Sequence, residues 1–179
     1  MAHTPGTQQT PGGRRRTDGG GPHRGNGSGH VRILLDDISK NIIEQLQQDG
    51  RRSYASIGQA VGLSEAAVRQ RVQRLLDAGA MQIVAVTDPM TLGFRRQTMI
   101  GVRCSGELEQ VADQLADMHE IDYVVITAGS FDLLIEVVCE DDDQLLDILS
   151  RVRTIPSVTA TETFVYLKLC KQTYSWGTR

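Results

Sequence analysis

The chain has 179 residues, 40% of them apolar, with a formal net charge of −3. That length suits one or two small domains, and no apolar run approaches the roughly 20 residues needed to span a bilayer. Charge is unevenly spread: residues 1–30 carry +3, residues 31–88 zero and residues 89–179 −6, so the acidic C-terminal half is poorly suited to nucleic acid and better suited to sensing or assembly.

Residues 1–30 hold nine glycines and three prolines among Thr, Gln, Ser and Arg. They cannot bury enough apolar area to fold and are read as a disordered tail. Arg14, Arg15 and Arg16 could graze DNA phosphates, although a merely solubilising tail is the more ordinary role for such a run.

Residues 31–87 form the next unit. Leu35–Gln48 reads as a helix capped by Asp36 or Asp37, with Ile38, Ile42, Ile43 and Leu46 on its inner side. Asp49-Gly50-Arg51-Arg52 is a turn. Tyr54–Val61 is a short helix, Ile57 and Val61 one turn apart. Gly62 sits where that helix must stop, in a position that favours a left-handed backbone. Leu63 plugs the angle, and Ser64 is a good N-cap for a helix running to Ala78. Val68, Val72 and Leu75 recur at i, i+4 and i+7 and make one buried stripe.

That pattern is a helix-turn-helix, a device for laying one helix in the major groove of DNA. The outer side of the second helix carries Arg69, Gln70, Gln73 and Arg74, with Arg71 nearer its flank. Arg and Gln can bond two base atoms at once, and Arg also holds phosphates. We assign DNA contacts to these five residues and to the opening turn, Ser64, Glu65, Ala66 and Ala67. An amphipathic helix with a solvated arginine face is the plainer alternative. Small Gly58, Gly62 and capping Ser64 favour the DNA reading, because each is the type its position requires. Met81–Thr87 reads as a strand, as in winged helix domains, and residues 88–96 as a linker broken by Asp88-Pro89.

Residues 97–170 then alternate. Gln97–Cys104 is a strand, Glu107–Met118 a helix, Ile121–Ala128 a strand, Phe131–Glu140 a strand, Asp141–Val152 a helix and Val158–Cys170 a strand. Gly129-Ser130 fits a type II′ hairpin turn. The order is βαββαβ, the ferredoxin-like plan. The fold class is therefore α+β, with a winged-helix-like helix-turn-helix domain before a ferredoxin-like domain and a C-terminal extension over 171–179. Two helices can cover only one face of such a sheet. The other face shows Asp132, Leu134, Glu136 and Val138 on one strand, and Glu162, Phe164, Tyr166 and Lys168 on the last. That is too much apolar surface to leave in water, and a second subunit's sheet is the simplest cover. Two-fold symmetry also suits a reader of palindromic DNA.

Cys104, Cys139 and Cys170 are far apart and read as reduced, partly buried thiols, since a zinc site would want close Cys or His pairs. The N-terminus has no apolar core of a secretory signal, so the expected location is cytoplasmic, with no membrane association.

In Leu35-Asp36-Asp37, Asp49-Gly50-Arg51, Gly62-Leu63-Ser64, Arg71-Val72-Gln73-Arg74-Leu75, Asp88-Pro89 with Leu92-Gly93, Gly129-Ser130-Phe131-Asp132-Leu133-Leu134 and Ile155-Pro156-Ser157-Val158, the chain resembles the leucine-responsive/asparagine-responsive (Lrp/AsnC, feast/famine) family of prokaryotic transcription regulators. The resemblance covers about residues 34–170. It departs from the family at Ser39, usually Asp, and Leu76, usually Glu. It implies dimers that often assemble into octamers, and a small effector, usually an amino acid, bound in the C-terminal domain between dimers. It places that effector at Gly129, Ser130 and Asp132, with Phe164, Val165 and Tyr166 of the last strand and Asp142. Turn amides could hold the carboxylate of a zwitterion and Asp132 its ammonium. The plainer roles are a hairpin turn for Gly129 and a turn-capping carboxylate for Asp132.

Two rival functions meet obstacles. Some haem-pathway decarboxylases resemble this fold, but catalysis wants an ionisable group in a pocket, and His119, alone past residue 30, sits at a helix end. No catalytic residue, cofactor or metal ligand is assigned. RNA-recognition motifs share the strand–helix order but stack bases on aromatics of their middle strands, and Leu133–Val138 has none.

Overall fold

The computed structural model describes residues 35–179. The glycine-rich tail and its arginines lie outside the described residues. The element order is α1 (Asp37–Gln48), α2 (Tyr54–Val61), α3 (Glu65–Asp77), β1 (Arg96–Cys104), α4 (Leu108–Ala116), β2 (Ile121–Ile126), β3 (Leu133–Cys139), α5 (Asp142–Thr154) and β4 (Val158–Val165).

Each of the first three helices starts on a side-chain cap: Asp36, Ser53 and Ser64 accept from the N–H groups of Ser39, Ser56 and Ala67. Such caps each contribute about 1 kcal/mol. α2 ends on Gly62 at φ +73°, the left-handed stop its sequence implied. Gly58 has a sharper reason to be small, because a Cβ there would lie 2.5 Å from the backbone oxygen of Leu63. That oxygen belongs to the turn between α2 and α3, so the close approach sets the angle between them. Ile42, Ile57, Val68 and Val72 form the core, with Ile38, Leu46, Tyr54 and Leu63 packed around it.

Four strands in three antiparallel pairings and one core build the second unit. The strand order is β2-β3-β1-β4, as the ferredoxin-like plan requires. The buried face of the sheet offers Ile100, Val102, Leu133, Ile135, Val137 and Cys139 to Val111 and Leu115 of α4 and to Leu145, Ile148 and Val152 of α5. At the end of α5, Arg151 forks onto the buried Glu120 at 2.6 and 3.1 Å. This pair holds the Glu120 carboxyl below its usual range.

Four expectations need correction. Met81–Thr87 forms no strand; residues 82–88 are exposed and join no ladder of this chain, so no wing is built from it. Period-two alternation needs a neighbouring strand to become a ladder, and none lies beside it. β4 stops at Val165 rather than Cys170, because β1 offers no partner beyond Arg96 and the ladder closes with Tyr166 N–H on Gln97 O. The β2–β3 connection is no two-residue type II′ turn. It is a wider loop closed by Thr127 N–H on Asp132 O, and Gly129 is not among the glycines of positive φ. Finally, Cys170 is exposed, whereas burial pushes the Cys104 and Cys139 thiols up.

Candidate functional site

Two surfaces stand out. The first is the outer side of α3. Arg69, Gln70, Gln73 and Arg74 are all exposed there, because the buried stripe Val68–Val72–Leu75 turns them outward. Arg69 donates to Glu65 at 2.7 Å and lies 5.2 Å from the centre of the Tyr54 ring. Gln73 donates to Asp77 at 2.7 Å. These are contacts one helical turn apart or with the preceding helix, and they pre-orient long side chains without burying them. Glu65 and Ala66 are exposed beside the capping Ser64, and Ala67 is half-buried.

Arg71 does not belong to that surface. Its guanidinium donates to Asp36 at 2.7 Å and to Ser39 Oγ at 3.1 Å, tying α3 to the start of α1. The hydrogen bonds from Ser39 and then Arg71 hold the Asp36 carboxyl at about 2. Arg71 is therefore a structural clamp. Its partners are 35 and 32 residues away, which helical spacing on α3 cannot reveal. Ser39, one of the two departures from the family pattern, supplies half of that clamp.

The second surface is the face of the sheet without helices. Strand register brings Gln97, Met99, Gly101 and Arg103 of β1 beside Leu134, Glu136 and Val138 of β3 and Glu162 and Phe164 of β4. Gln97 donates to Glu136 at 2.9 Å. The Tyr166 hydroxyl bonds the same carboxylate, and burial first and then that bond push its pKa up to about 12. At the other end Phe131 lies over Gly101, whose absent Cβ would be 2.6 Å from the ring. Phe131 meets Phe164 edge-on at 6.0 Å, and Arg103 lies 5.3 Å from its ring centre. The expected alternation put Phe131 on the helix-covered face; the loop before β3 instead carries it to this one. The readable signal was Gly101, since a glycine inside a strand marks a close approach.

The proposed effector residues divide. Gly129 and Ser130 sit in the loop, where Ser130 O accepts from Arg103 Nε at 3.0 Å. Asp132 is half-buried, and its Oδ2 accepts from Cys104 N–H at the end of β1 at 2.7 Å, a bond across to the neighbouring strand and not within its own turn. Phe164 and Tyr166 share the open face, while Val165 pairs with Thr98 and lies on the other. Asp142 is forked to Arg96 at 2.5 and 3.0 Å, and that bond lowers its pKa. Arg96 faces Cys139 at one end of the ladder and Val102 faces Leu133 at the other. Six residues of strand, roughly 20 Å, separate them. One chain therefore does not bring Asp142 to the Gly129–Asp132 loop.

Known proteins are similar over both units. Residues 35–76 match the AsnC-type helix-turn-helix domain, and residues 97–179 match the C-terminal dimeric alpha+beta barrel domain of AsnC-type regulators. The second match runs to the end of the chain, past the extension set apart in the sequence. The HTH-type transcriptional regulator FL11 of Pyrococcus horikoshii is 32% identical over 145 residues, 80% of this chain and 96% of the relative. The proline dehydrogenase transcriptional activator of Rhizobium radiobacter is 30% identical, over 78% of this chain and 93% of the relative. Among solved structures, the leucine response regulatory protein LrpA of Mycobacterium tuberculosis superposes with a TM-score of 0.70 at 26% identity, covering 77% of this chain and 96% of that one.

Proposed function

The chain belongs to the Lrp/AsnC family of transcriptional regulators and carries its DNA-binding helix-turn-helix, and from that premise we propose that it is a cytoplasmic, sequence-specific regulator, dimeric or octameric, whose grip on a palindromic operator is modulated by an amino acid. The observation that carries the DNA half is the exposed row Arg69, Gln70, Gln73 and Arg74 on α3. Paired donors and acceptors on Gln, and paired donors on Arg, suit base edges. The opening turn from Ser64 to Ala67 offers helix N-terminal N–H groups to a phosphate.

For assembly, the support is the open sheet face. Phe164 and Tyr123 are exposed there beside half-buried Met99, Leu134 and Val138. A second copy of that face would cover them. For the effector, the support is the loop end of the same face. Arg103 can fork onto the carboxylate of a zwitterion, Asp132 can take its ammonium, and Phe131 and Phe164 offer an apolar wall to its side chain. Two relatives carry names tied to amino acids, one to proline dehydrogenase and one to leucine response.

Enrichment of duplexes from a random pool on the full chain, followed by titration of each common amino acid into the complex, tests both halves. The expected result is a palindromic consensus whose occupancy changes with a small subset of amino acids, an effect lost in Arg103→Ala. Failure to enrich any duplex overturns the regulator reading; enrichment with no response to any amino acid overturns the effector.

A further inference from the structure

β4 ends at Val165, but the chain does not leave the molecule there. Residues 166–179 run back to the other end of the sequence and dock on α1. Gly177 N–H donates to Gln47 at 3.2 Å. Thr178 donates to one oxygen of Glu44 twice, from its N–H at 3.2 Å and its hydroxyl at 2.5 Å. Gly177 adopts φ +72°, a left-handed turn that lets two successive N–H groups point at acceptors on one helix. Gly177 lies eleven positions beyond Tyr166, so the segment can reach about 36 Å when extended.

The character of this contact matters. Leu167, Leu169, Tyr174 and Trp176 along the segment are 95, 60, 50 and 79% exposed. The segment is therefore held at its far end by hydrogen bonds and not by apolar burial along its length, which is how a low-stability element that docks and undocks is built. Its root is Tyr166, bonded to Glu136 on the open sheet face. Its tip grips α1 and leaves the outer row of α3 exposed. It cannot be a cover for the reading helix; it can only fix where that helix stands.

We propose that residues 166–179 form a strap that docks the DNA-binding unit onto the sheet domain through Glu44 and Gln47, and so sets the spacing at which the two reading helices of a dimer meet DNA. The inference rests on the reading of α3 as the DNA-contacting helix. A dimer gains affinity for two half-sites only when its geometry matches their separation, and a stiffer link sharpens that match. Because the strap is rooted at the face that would meet a partner or an effector, either could bias docking, and docking would bias DNA in return.

The test compares wild type, a chain ending at Tyr174, Glu44→Ala, the two changes combined, and Thr178→Ser. The probes are a duplex enriched on wild type, copies with a few base pairs inserted between half-sites, and a single half-site. Wild type and Thr178→Ser, which keeps both donors, should prefer the original spacing by roughly tenfold. The truncated chain and Glu44→Ala should lose most of that preference while binding the half-site as wild type does. The combined variant should be no worse than the truncated chain, which has already lost every partner of Glu44. Amide exchange in α1 should quicken in both single variants. An unchanged spacing profile in both single variants, or losses that add in the combined one, overturns the strap. A wild-type chain that enriches no duplex overturns the DNA reading itself, and the strap with it.

Discussion

The outer side of α3 is a polar surface and the open face of the sheet a largely apolar one with polar side chains set into it, and their polar groups are held by different means. On α3 the partners are close in sequence: Arg69 with Glu65, Gln73 with Asp77, each four residues apart. On the sheet they are remote: Gln97 with Glu136, 39 residues apart, and Arg103 with Ser130, 27 apart. A surface assembled from local contacts can lose one side chain and keep the rest in place. One assembled through strand register shifts as a unit. The first suits a set of separable contacts to DNA, and the second suits a face that responds as a whole to a ligand or a second subunit.

The largest expected effect probes the support beneath α3. Gly58→Val forces a side chain onto the Leu63 carbonyl, a backbone atom that cannot swing aside. We expect the three-helix unit to lose about 3 kcal/mol or more, read as an early thermal transition by circular dichroism, with the sheet domain unfolding as before. A single unshifted transition would mean that the turn is not packed as described. Next, Leu134→Glu places a charge at the centre of the open face, opposite Gly101 and Val125. Light scattering should then report a single chain of 19.7 kDa where wild type gives a dimer or larger. A wild-type monomer would mean that the open face needs no partner.

A smaller effect separates Arg71 from its neighbours. Arg71→Ala frees Asp36 and Ser39 and should lower the stability of the three-helix unit slightly, since a partly exposed ion pair is screened by solvent. DNA specificity should stay intact, whereas Gln70→Ala should change specificity and not stability. The smallest effect is its pH signature. Asp36 is depressed to about 2 by Ser39 and Arg71, so the stability it contributes is present above its ordinary pKa near 3.9 and is lost as pH falls toward 2. Acid unfolding of the three-helix unit should flatten over that window in Ser39→Ala. An acid profile identical to wild type would remove the clamp.

The same contrast explains what the sequence could reveal. Gly62, Ser64 and the Val68–Val72–Leu75 stripe act within one or two turns, and α2 and α3 lie where those residues placed them. The order of strands and the buried face of β3 were also readable, since alternation is local. What depended on a distant partner was not. Arg71 has helical neighbours that face solvent, and its turn toward α1 depends on Asp36. Phe131 continues the alternation of β3 on paper, but the loop and the gap left by Gly101 take it to the other face. Asp142 and Asp132 lie at opposite ends of β1 within one chain, a separation fixed by strand register and not by spacing along the sequence. Residues 171–179 carry no pattern at all, and their contact with Glu44 spans 134 residues.

On the proposed function, α3 reads DNA and the sheet face does not touch it. Fluorescence anisotropy of an enriched duplex, titrated at several salt concentrations with wild type, Arg74→Ala and Gln70→Ala, addresses it directly. Arg74→Ala should weaken all duplexes alike and lower the salt slope by about 1, and Gln70→Ala should cost about 1–3 kcal/mol of discrimination at one base position with the slope unchanged. Wild-type affinity, slope and discrimination in both variants would contradict the claim and move the DNA contact away from α3.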